Sequence, residues 1–409
     1  MKKITLILTL ALVITGCTFT SETKQSQLPV IDVNKEYPLK RIDIHEIADV
    51  EYIPLETTDS SMLQVDVSIS ITDNCIMVSD ILQHILVFFD RKGKYLHTVN
   101  RYGRGPGEYV ASVETDIDGN KKELYIWDLH NFKLFTYTWN GTNIATHGYA
   151  PSYSFEFMKN YDENYLIAYN DIYWPSPIKK YERKADPCPY YLISKKDGKL
   201  KRLDKRLMPK EWVHPIFNVI KGQNGYYTRA EHFKMPHIID SGDDFLLTEN
   251  SLDTLYNYKN HQLEPVFVRA PSASTMETPK LIYPCVFNEF YFIFRILPMD
   301  YEIGLKHDFD SRMMPAYILD RRTNEICRLE LYDSLLDPEL KIQSKRGIIT
   351  AFPENTEISI KNKNHAASRY QTSILVEKYK EGKLKGKLKE IASKLKEDDN
   401  NVVAIFKFK

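Results

Sequence analysis

The chain of 409 residues lacks most of the sequence features that identify an enzyme. Its five cysteines form no C-x-x-C pair, which excludes zinc-ribbon and thioredoxin-like chemistry. No Gly-x-Ser-x-Gly motif is present, so an α/β-hydrolase triad has no support. The 55 basic and 55 acidic residues balance each other. A chain this close to neutral has no general attraction to nucleic acid, so we expect no nucleic-acid partner.

Long apolar runs are also scarce, and the one at the start is informative. Residues 4–13 are apolar and follow a positively charged Met1-Lys2-Lys3, but the run is too short to span a bilayer. It ends in Ile14-Thr15-Gly16-Cys17, the spacing of a bacterial lipobox. We therefore predict that residues 1–16 are a lipoprotein signal peptide and that Cys17 is acylated. An ordinary leader with a chance cysteine is the alternative.

The residues after Cys17 are mostly polar. We predict that residues 17–44 form a flexible, lipid-anchored tether and that residues 45–409 form the folded body. No other segment is long and apolar enough to cross a membrane. The predicted location is the cell envelope, with the anchor in the outer membrane, and the sequence leaves open on which side of that membrane the body lies.

An oxidising compartment would permit disulfides among the four remaining cysteines. Cys285 and Cys327 are predicted on the innermost and outermost strands of one sheet. Three strand spacings would separate them by about 14 Å, whereas a disulfide needs Cα atoms within about 7 Å. We therefore expect these two cysteines to be free and buried, and leave Cys75 and Cys188 open.

Two early stretches of the chain repeat each other. Asp80 follows an apolar run and Gly93 comes thirteen positions later, and Asp128 and Gly141 show the same spacing. A repeated order of strand, Asp, strand and Gly turn predicts a small β-meander that is copied along the chain. Such a unit cannot bury both its faces alone, so its copies must pack against one another.

Looser copies follow, and their turn markers are spaced by roughly 50 to 65 residues, close to the length of a propeller blade. The markers are Gly93, Gly141, Gly198, Asn260 and Asn324. A sixth copy begins near residues 347–352. The sequence thus predicts an all-β fold, a six-bladed β-propeller.

The two ends of the body are predicted to close the ring. Residues 50–55 form an early strand without a preceding partner, and residues 402–408 form a last strand with nothing after it. Pairing the two would remove exposed sheet edges.

One helix is predicted within the last blade, over residues 373–397. Leu384, Leu388, Ile391 and Leu395 recur at intervals of four, three and four residues, and lysines surround them. Either this basic helix is attracted to anionic lipid, or its apolar stripe docks on the propeller with the lysines in solvent. We favour docking, because the strand after the helix must return to the sheet.

The string Gly103-Arg104-Gly105-Pro106-Gly107-Glu108-Tyr109 lies between the first two copies. Together with the lipobox, residues 55–57 and residues 397–403, it resembles the six-bladed β-propeller lipoproteins of anaerobic gut bacteria. The Asp80 and Asp128 units also look like NHL repeats. The resemblance implies this fold and an envelope location; most members of that family have no assigned activity.

The glycine-rich string does not predict a phosphate site. A phosphate-binding loop would require a helix directly after it, and residues 111–113 instead begin a strand. The glycines are explained by tight turns on the way to the next blade.

The first strand of each copy lines the predicted channel, and each carries one side chain with an oxygen ligand. These candidates for axial ligands are Asp66, Asp116, Glu156, Asn218 and Asn288. We expect no cofactor. The alternative is that these converging carboxylates and amides hold Ca²⁺, since some related propeller hydrolases and lactonases use an axial metal. Without a metal, the oxygen side chains are explained by the fact that any water-filled channel is polar.

Two loop tryptophans, Trp174 and Trp212, are candidates for an aromatic binding face, because aromatic rings stack on sugars or clamp peptides. Packing between blades is the alternative. His232 and His237 lack the helical spacing of a zinc site, and Pro236 between them makes a helix improbable, so we interpret them as two unrelated residues.

The sequence as a whole favours a non-catalytic recognition protein that is attached to the membrane by lipid and binds a glycan, a peptide or an envelope protein. The alternative is a metal-assisted hydrolase, lactonase or lyase acting at the channel. A third hypothesis is that the protein is a structural scaffold within an uptake complex.

Overall fold

The computed structural model is a six-bladed β-propeller, as the repeats predict. It describes residues 28–64, 67–110, 114–170, 188–208, 216–221, 227–232, 235–242, 244–298, 315–336, 358–360 and 364–409. Each blade is a small twisted sheet, and its first strand lies nearest the central axis.

The chain first runs along the outside of the ring. It forms β1 (Val30–Asp32), β2 (Leu39–Asp43), the one-turn helix α1 (Ile44–Ile47) and β3 (Ala48–Pro54). β1 pairs in parallel with the last strand of blade 4, and β2 pairs in parallel with the last strand of blade 5. Each therefore adds a fifth strand to its sheet and covers an edge that would otherwise be open.

We call β1 and β2 together the strap. The prediction of a flexible tether up to residue 44 is wrong for these two strands. Ile31 and Ile42 are buried in the cores next to blades 4 and 5, and they hold the strap in place. Residues 17–27 lie outside the described residues.

Blades 1 to 3 are antiparallel meanders of four strands each. Blade 1 contains β4 (Val67–Ile71), β5 (Ile76–Asp80), β6 (Ile85–Phe89) and β7 (Tyr95–Asn100). Blade 2 contains β8 (Glu114–Asp118), β9 (Glu123–Asp128), β10 (Lys133–Thr138) and β11 (Asn143–Gly148). Blade 3 contains β12 (Phe155–Asn160), β13 (Tyr165–Asn170), β14 (Tyr190–Ser194) and β15 (Leu200–Arg202), followed by a 3₁₀ turn at Lys205–Leu207.

A separate hairpin, β16 (Ile216–Lys221) and β17 (Tyr227–His232), forms a two-stranded sheet before blade 4. Blade 4 contains β18 (Ile238–Ser241), β19 (Asp244–Leu247), β20 (Thr254–Lys259) and β21 (Gln262–Ala270), followed by a 3₁₀ turn at Ala273–Thr275. Blade 5 contains β22 (Lys280–Phe287), β23 (Tyr291–Pro298), β24 (Ala316–Asp320) and β25 (Glu325–Tyr332).

The last blade combines both ends of the chain. Its sheet has three strands, β27 (His365–Tyr370), β28 (Val402–Phe408) and β3, and the helices α2 (Thr372–Lys380) and α3 (Gly386–Ala392) lie between β27 and β28. β28 pairs antiparallel with β3, from Val402 opposite Pro54 to Phe408 opposite Ala48, which confirms the predicted ring closure. β26 (Ile358–Ile360), which precedes β27 in the chain, pairs in parallel with β4 and adds a fifth strand to the sheet of blade 1.

The region that was predicted as one helix is two short helices. Gly382 and Gly386 adopt positive φ angles of 72° and 47°, and the helix is interrupted there. Leu384, Leu388 and Ile391 are buried against blade 6, with Leu395 packed beside them. The apolar stripe therefore docks on the propeller, as favoured above.

Each blade packs between two neighbours, so both faces of a blade are buried. On β5, Ile76 and Val78 contact the core shared with blade 6, while Met77 contacts the core shared with blade 2. Successive residues of a strand point to opposite faces, which explains why the strands appear in the sequence as continuous apolar runs.

The aspartate of the repeat ties a turn to the chain that enters the blade. The Asp128 carboxylate accepts the amide of His130 in the turn and the amide of Val110 in the incoming segment. Asp80 makes the same two kinds of bond in blade 1, and Asn170 keeps the bond to the incoming segment in blade 3. The repeated aspartates thus stabilise the blades.

The repeated glycine also has a structural cause. Gly93 and Gly141 adopt φ angles of 83° and 81°, a region that favours glycine. A Cβ atom on Gly93 would lie 2.1 Å from the carbonyl oxygen of Pro54, so the turn also requires a residue without a side chain.

All four cysteines of the described residues are free. Cys285 lies on β22 and Cys327 on β25, at the inner and outer positions of one sheet, as predicted. Cys327 is buried, but Cys285 is only partly buried, so the prediction that both are buried is wrong for Cys285. Cys75 and Cys188 are buried in the structure.

Candidate functional site

The ring has two faces, because the strands alternate in direction. The lower face carries the turns from first to second and from third to fourth strands. The upper face carries the turns from second to third strands and the connections between blades.

A polar cleft of about 500 Å³ opens on the lower face. It is lined by the first turns of four successive blades: residues 72–74, 118–121, 160–163 and Gly242. Because first strands surround the axis, this cleft lies at the mouth of the central channel. Propeller architecture brings turns that are distant in sequence to this one place.

A buried ion pair supports one wall of the cleft. Lys195 Nζ donates to Asp118 Oδ2 at 2.8 Å, and the two side chains are 5% and 7% exposed. Burial opposes ionisation of Asp118, but the amides of Asn120 and Lys121 and the Lys195 ammonium hold the pKa of this carboxyl below its usual value. Burial lowers the pKa of Lys195. Removing either partner would leave a buried charge without compensation.

A second wall is built around Asp162. Its carboxylate accepts the amides of Asn164 and Tyr165 and lies 3.1 Å from His261 Nε2. The Tyr161 hydroxyl accepts the amide of His261 at 2.7 Å, and the two rings meet edge to face. These bonds fix the turn of blade 3 against a turn of blade 4.

Other polar side chains of the cleft face solvent: Asp73, Asn74 and Glu163 are exposed. The Asn74 amide donates to the carbonyl of Gly119 at 3.4 Å and so links the turns of blades 1 and 2. Carboxylates accept hydrogen bonds, and an amide both donates and accepts them. The cleft can therefore bind hydroxyl, amine and amide groups of a ligand.

The repeat pattern alone does not predict these cleft residues, because it indicates the inner strands as the channel lining and not the turns after them. A signal was present. Three of the four lining turns carry Asp or Asn at the end of a first strand or shortly after it, at residues 73–74, 118–120 and 160–162. Such residues are common in any turn, so the signal becomes specific only when the fold brings the turns together.

The predicted axial ligands occupy different kinds of position. Asp116 is fully buried on β8, where its carboxylate accepts the amide of Asn160 at 2.6 Å and the hydroxyl of Ser70 at 3.3 Å. It thus connects the inner strands of blades 1, 2 and 3. Glu156 is partly buried on β12.

The other axial candidates do not share that position. Asn288 follows β22 in a lower-face turn, and its oxygen accepts the amides of Phe290 and Tyr291. Asn218 lies on β16 of the separate hairpin, whereas the first strand of blade 4 is β18. Asp66 lies outside the described residues, and the axial metal stays a prediction.

The candidate aromatic face, Trp174 and Trp212, also lies outside the described residues. His237, by contrast, is buried and stacks on Tyr169 with ring centroids 3.7 Å apart. Its Nδ1 lies 2.7 Å from the carbonyl oxygen of Thr248, and burial lowers its pKa to about 3. It therefore remains neutral and packs in the core.

The Gly103 loop is held by its own residues. Glu108 accepts the amide of Gly105, and a Cβ atom on Gly103 would lie 2.0 Å from the Glu108 carboxylate. The Tyr109 hydroxyl donates to the carbonyl of His84, and Tyr137 donates to that of Gly107. These contacts account for the glycines by turn geometry, in agreement with the sequence interpretation.

Among the described residues, one group of three or more His, Cys, Asp or Glu side chains has its ligand atoms within 4.8 Å of one another: Asp43, His45 and Asp333. Asp333 is fully buried, and four donors already satisfy it. His45 Nε2 and the Leu335 amide donate to Oδ1, and the hydroxyls of Tyr52 and Tyr370 donate to Oδ2. We interpret this group as a structural lock that joins α1, β3 and β27 to the end of blade 5.

These features define a six-bladed propeller with a polar channel mouth. The profile of the family described as "Domain of unknown function (DUF4934)" matches residues 28–270, and the chain belongs to that family. No curated protein matches the sequence.

One solved structure shows the same fold, and two others are similar at lower scores. A Bacteroides fragilis protein described as a candidate exported protein is 14% identical, with a TM-score of 0.59 over 93% of this chain and 99% of that chain. A DUF4221 member from Bacteroides vulgatus is 9% identical, with a TM-score of 0.48 over 89% and 97%. A protein of unknown function from Bacteroides thetaiotaomicron is 9% identical, with a TM-score of 0.42 over 88% and 76%.

In the part of the chain that the structure describes, no helix has the length and apolar character needed to cross a membrane.

Proposed function

We propose that the protein is a non-catalytic recognition propeller of the cell envelope that binds a glycan, or a peptide segment of a protein partner, in the lower-face cleft. The observation that carries this proposal is the convergence of polar turns from four blades around one cleft of about 500 Å³. Ligand sites of this size are usually concave, with a few fixed polar groups that give specificity.

The fixed and exposed groups have separate roles in this proposal. Asp118 and Asp162 are held by the bonds described above and keep the walls rigid. Asp73 and Glu163 are exposed, and their carboxylate oxygens can accept hydrogen bonds from hydroxyl or amino groups of a ligand. A rigid wall with exposed acceptors lowers the entropic cost of binding.

The chemistry of the cleft favours binding over catalysis. General acid–base catalysis works best with a group whose pKa lies near the working pH. The pKa of the Asp118 carboxyl is instead shifted further below neutrality. The metal-assisted alternative needs oxygen ligands on the axis, and a Ca²⁺ ion at Asp116 would have to replace the bonds from Ser70 and Asn160.

An envelope location completes the proposal. The lipobox at Ile14-Thr15-Gly16-Cys17 supports an anchor in the outer membrane. The description of the Bacteroides fragilis relative as a candidate exported protein agrees with this location. The body would then present its cleft to ligands outside the cytoplasm.

The test uses arrays of glycans and peptides, followed by calorimetric titration of the best binder. The double variant Asp73→Ala/Glu163→Ala should bind that ligand at least about tenfold more weakly, since each lost charged hydrogen bond is worth about 1.5–3 kcal/mol. Its melting temperature should not change, because both residues are exposed.

Asp59→Ala is the matched control, because Asp59 is an exposed acidic residue on the upper face. It should bind like the wild type. Arrays without any binder, or a binder whose affinity is the same for the double variant and the wild type, would contradict the proposal.

A further inference from the structure

Exposed apolar side chains gather on the upper face. Large apolar residues are exposed at nine positions of the described chain, and five of these lie on the upper face of blades 6 and 1: Met62, Ile81, Leu82, Tyr102 and Tyr379. Leu82, at the tip of the turn between β5 and β6, is 60% exposed. Turn tips are usually built from Gly, Pro, Asn, Asp or Ser, so two neighbouring apolar residues there need a cause.

Hydrogen bonds and ring contacts make the blade 1 part of this group one surface. Gln83 Nε2, in the same turn tip, donates to the carbonyl of Met62 at 3.1 Å. The ring of His84 stacks on Tyr102 with centroids 4.3 Å apart. The turn tip, the segment entering blade 1 and the segment leaving it are therefore held side by side.

The same surface continues into the helical insert of blade 6. Asn400, at the end of that insert, accepts the amide of Leu63 at 3.0 Å. Its own amide donates to the carbonyls of Ser61 and Glu56 at 2.7 and 3.0 Å. The α2–α3 insert and the segment that carries Met62 are thus fixed against each other.

The insert adds positive charge. Residues 372–397 contain eight lysines and four glutamates, followed by two aspartates. The glutamates form ion pairs with Lys378, Lys380, Lys383 and Lys387. The apolar stripe points towards the blade, which leaves Lys385, Lys389, Lys394 and Lys396 exposed.

We propose that this upper-face surface of blades 6 and 1 rests on an anionic lipid membrane. We call it the lipid-facing surface and define it by Ile81, Leu82, Met62, Lys385 and Lys389. Separate apolar tips on the same face as exposed lysines fit the boundary between headgroups and acyl chains, where apolar groups insert and lysines attract anionic lipid.

This inference rests on the envelope location in the proposed function, and the position of the strap agrees with it. Val30 pairs with Val268, two residues before the end of β21 on the side of the upper face. A lipid on Cys17 would be joined to this point by a segment of about 40 Å at full extension. The anchor and the lipid-facing surface could therefore contact one membrane, while the cleft opens on the opposite face.

The test is co-sedimentation of the Cys17→Ala protein, made without residues 1–16, with lipid vesicles at low ionic strength. It should bind vesicles of phosphatidylcholine with phosphatidylglycerol, and bind phosphatidylcholine vesicles at least about tenfold more weakly. Reversing two surface charges in Lys385→Glu/Lys389→Glu should weaken binding to anionic vesicles at least about tenfold. Ile81→Ser/Leu82→Ser should weaken it several-fold.

Two double variants are matched controls. Lys92→Glu/Lys196→Glu reverses two exposed charges in lower-face turns, and Leu96→Ser/Ile144→Ser removes exposed apolar groups on the outer strands β7 and β11. Both should bind anionic vesicles like the parent protein. The proposal is overturned if the parent protein does not sediment with anionic vesicles, or if control and surface variants lose binding equally. Ligand binding in the cleft is measured separately, so the two proposals can fail independently.

Discussion

At the scale of single residues, buried carboxylates in this protein join chain segments to each other. Asp128 joins a turn to the chain entering its blade, Asp116 joins three inner strands, and Asp333 joins the two ends of the chain to blade 5. In each case backbone amides or hydroxyls donate to the carboxylate, which compensates for its burial. An acidic side chain in the interior is therefore a weak indicator of a ligand site in this fold.

Stability should depend on pH through His45 and Asp333. The hydrogen bond to Asp333 raises the pKa of His45. Protonated His45 therefore stabilises the fold fully below its unfolded-state pKa of about 6.5. This contribution is lost as the pH rises through the folded-state pKa. Burial opposes ionisation of Asp333, but bonds from His45 and Tyr52 lower its pKa overall. Its contribution is present above about pH 4 and is lost as pH falls through the lowered value.

The contribution of the pair should thus be largest between about pH 4 and 6.5, and thermal unfolding from pH 3 to 9 measures it. His45→Gln should reduce the fall in melting temperature above pH 6.5. His130→Gln, a change of an exposed histidine, should leave the profile unchanged. If both profiles equal that of the wild type, His45 does not contribute in this way.

At the scale of strands and helices, the sequence was most informative where the partners are close along the chain. Blades 1 and 2 follow directly from the spacing of Asp80 to Gly93 and Asp128 to Gly141, because each meander pairs locally. The sequence does not predict the strap, because its strands of three and five residues pair in parallel with remote partners. Such pairing leaves no local pattern in the sequence. The channel was predictable from the inner strands, whereas the cleft depends on how turns of four blades meet.

Ring closure should dominate the stability of the propeller. β3 and β28 pair at seven positions, and Ile53 and Val403 are buried in the core that they share with blade 1. A protein without residues 1–54, or without residues 402–409, would expose a sheet edge and part of that core. We expect either deletion to lower the melting temperature by more than about 10 °C.

Shorter deletions distinguish the contribution of the ring closure to stability from that of the strap. A protein without residues 1–43 keeps β3 and should melt between the full body and the protein without residues 1–54. A protein without residues 1–27 is the control and should melt like the mature chain. Equal melting of the mature chain and the protein without residues 1–54 would show that the closure is not stabilising.

At the scale of the whole molecule, the ring separates two surfaces. The polar cleft is on the lower face, and the exposed apolar residues and lysines of blades 6 and 1 are on the upper face. A membrane on the upper side would leave the cleft accessible. The strap places Val30 at the outer edge of the ring. An anchor that precedes it in the chain would therefore not cover the channel.

Acylation of Cys17 can be distinguished from attraction of the lipid-facing surface by salt. Electrostatic attraction between exposed charges is strongly screened near 1 M salt, while burial of acyl chains is not. After expression of the full chain in a host that processes lipoproteins, we expect the wild type to stay with the membrane fraction at low and high salt. Cys17→Ala should stay at low salt and be released at high salt, and we expect an unchanged melting temperature, since the described strands begin only at Val30. Retention of Cys17→Ala at high salt, equal to that of the wild type, would mean that the membrane is bound by something other than a lipid on Cys17.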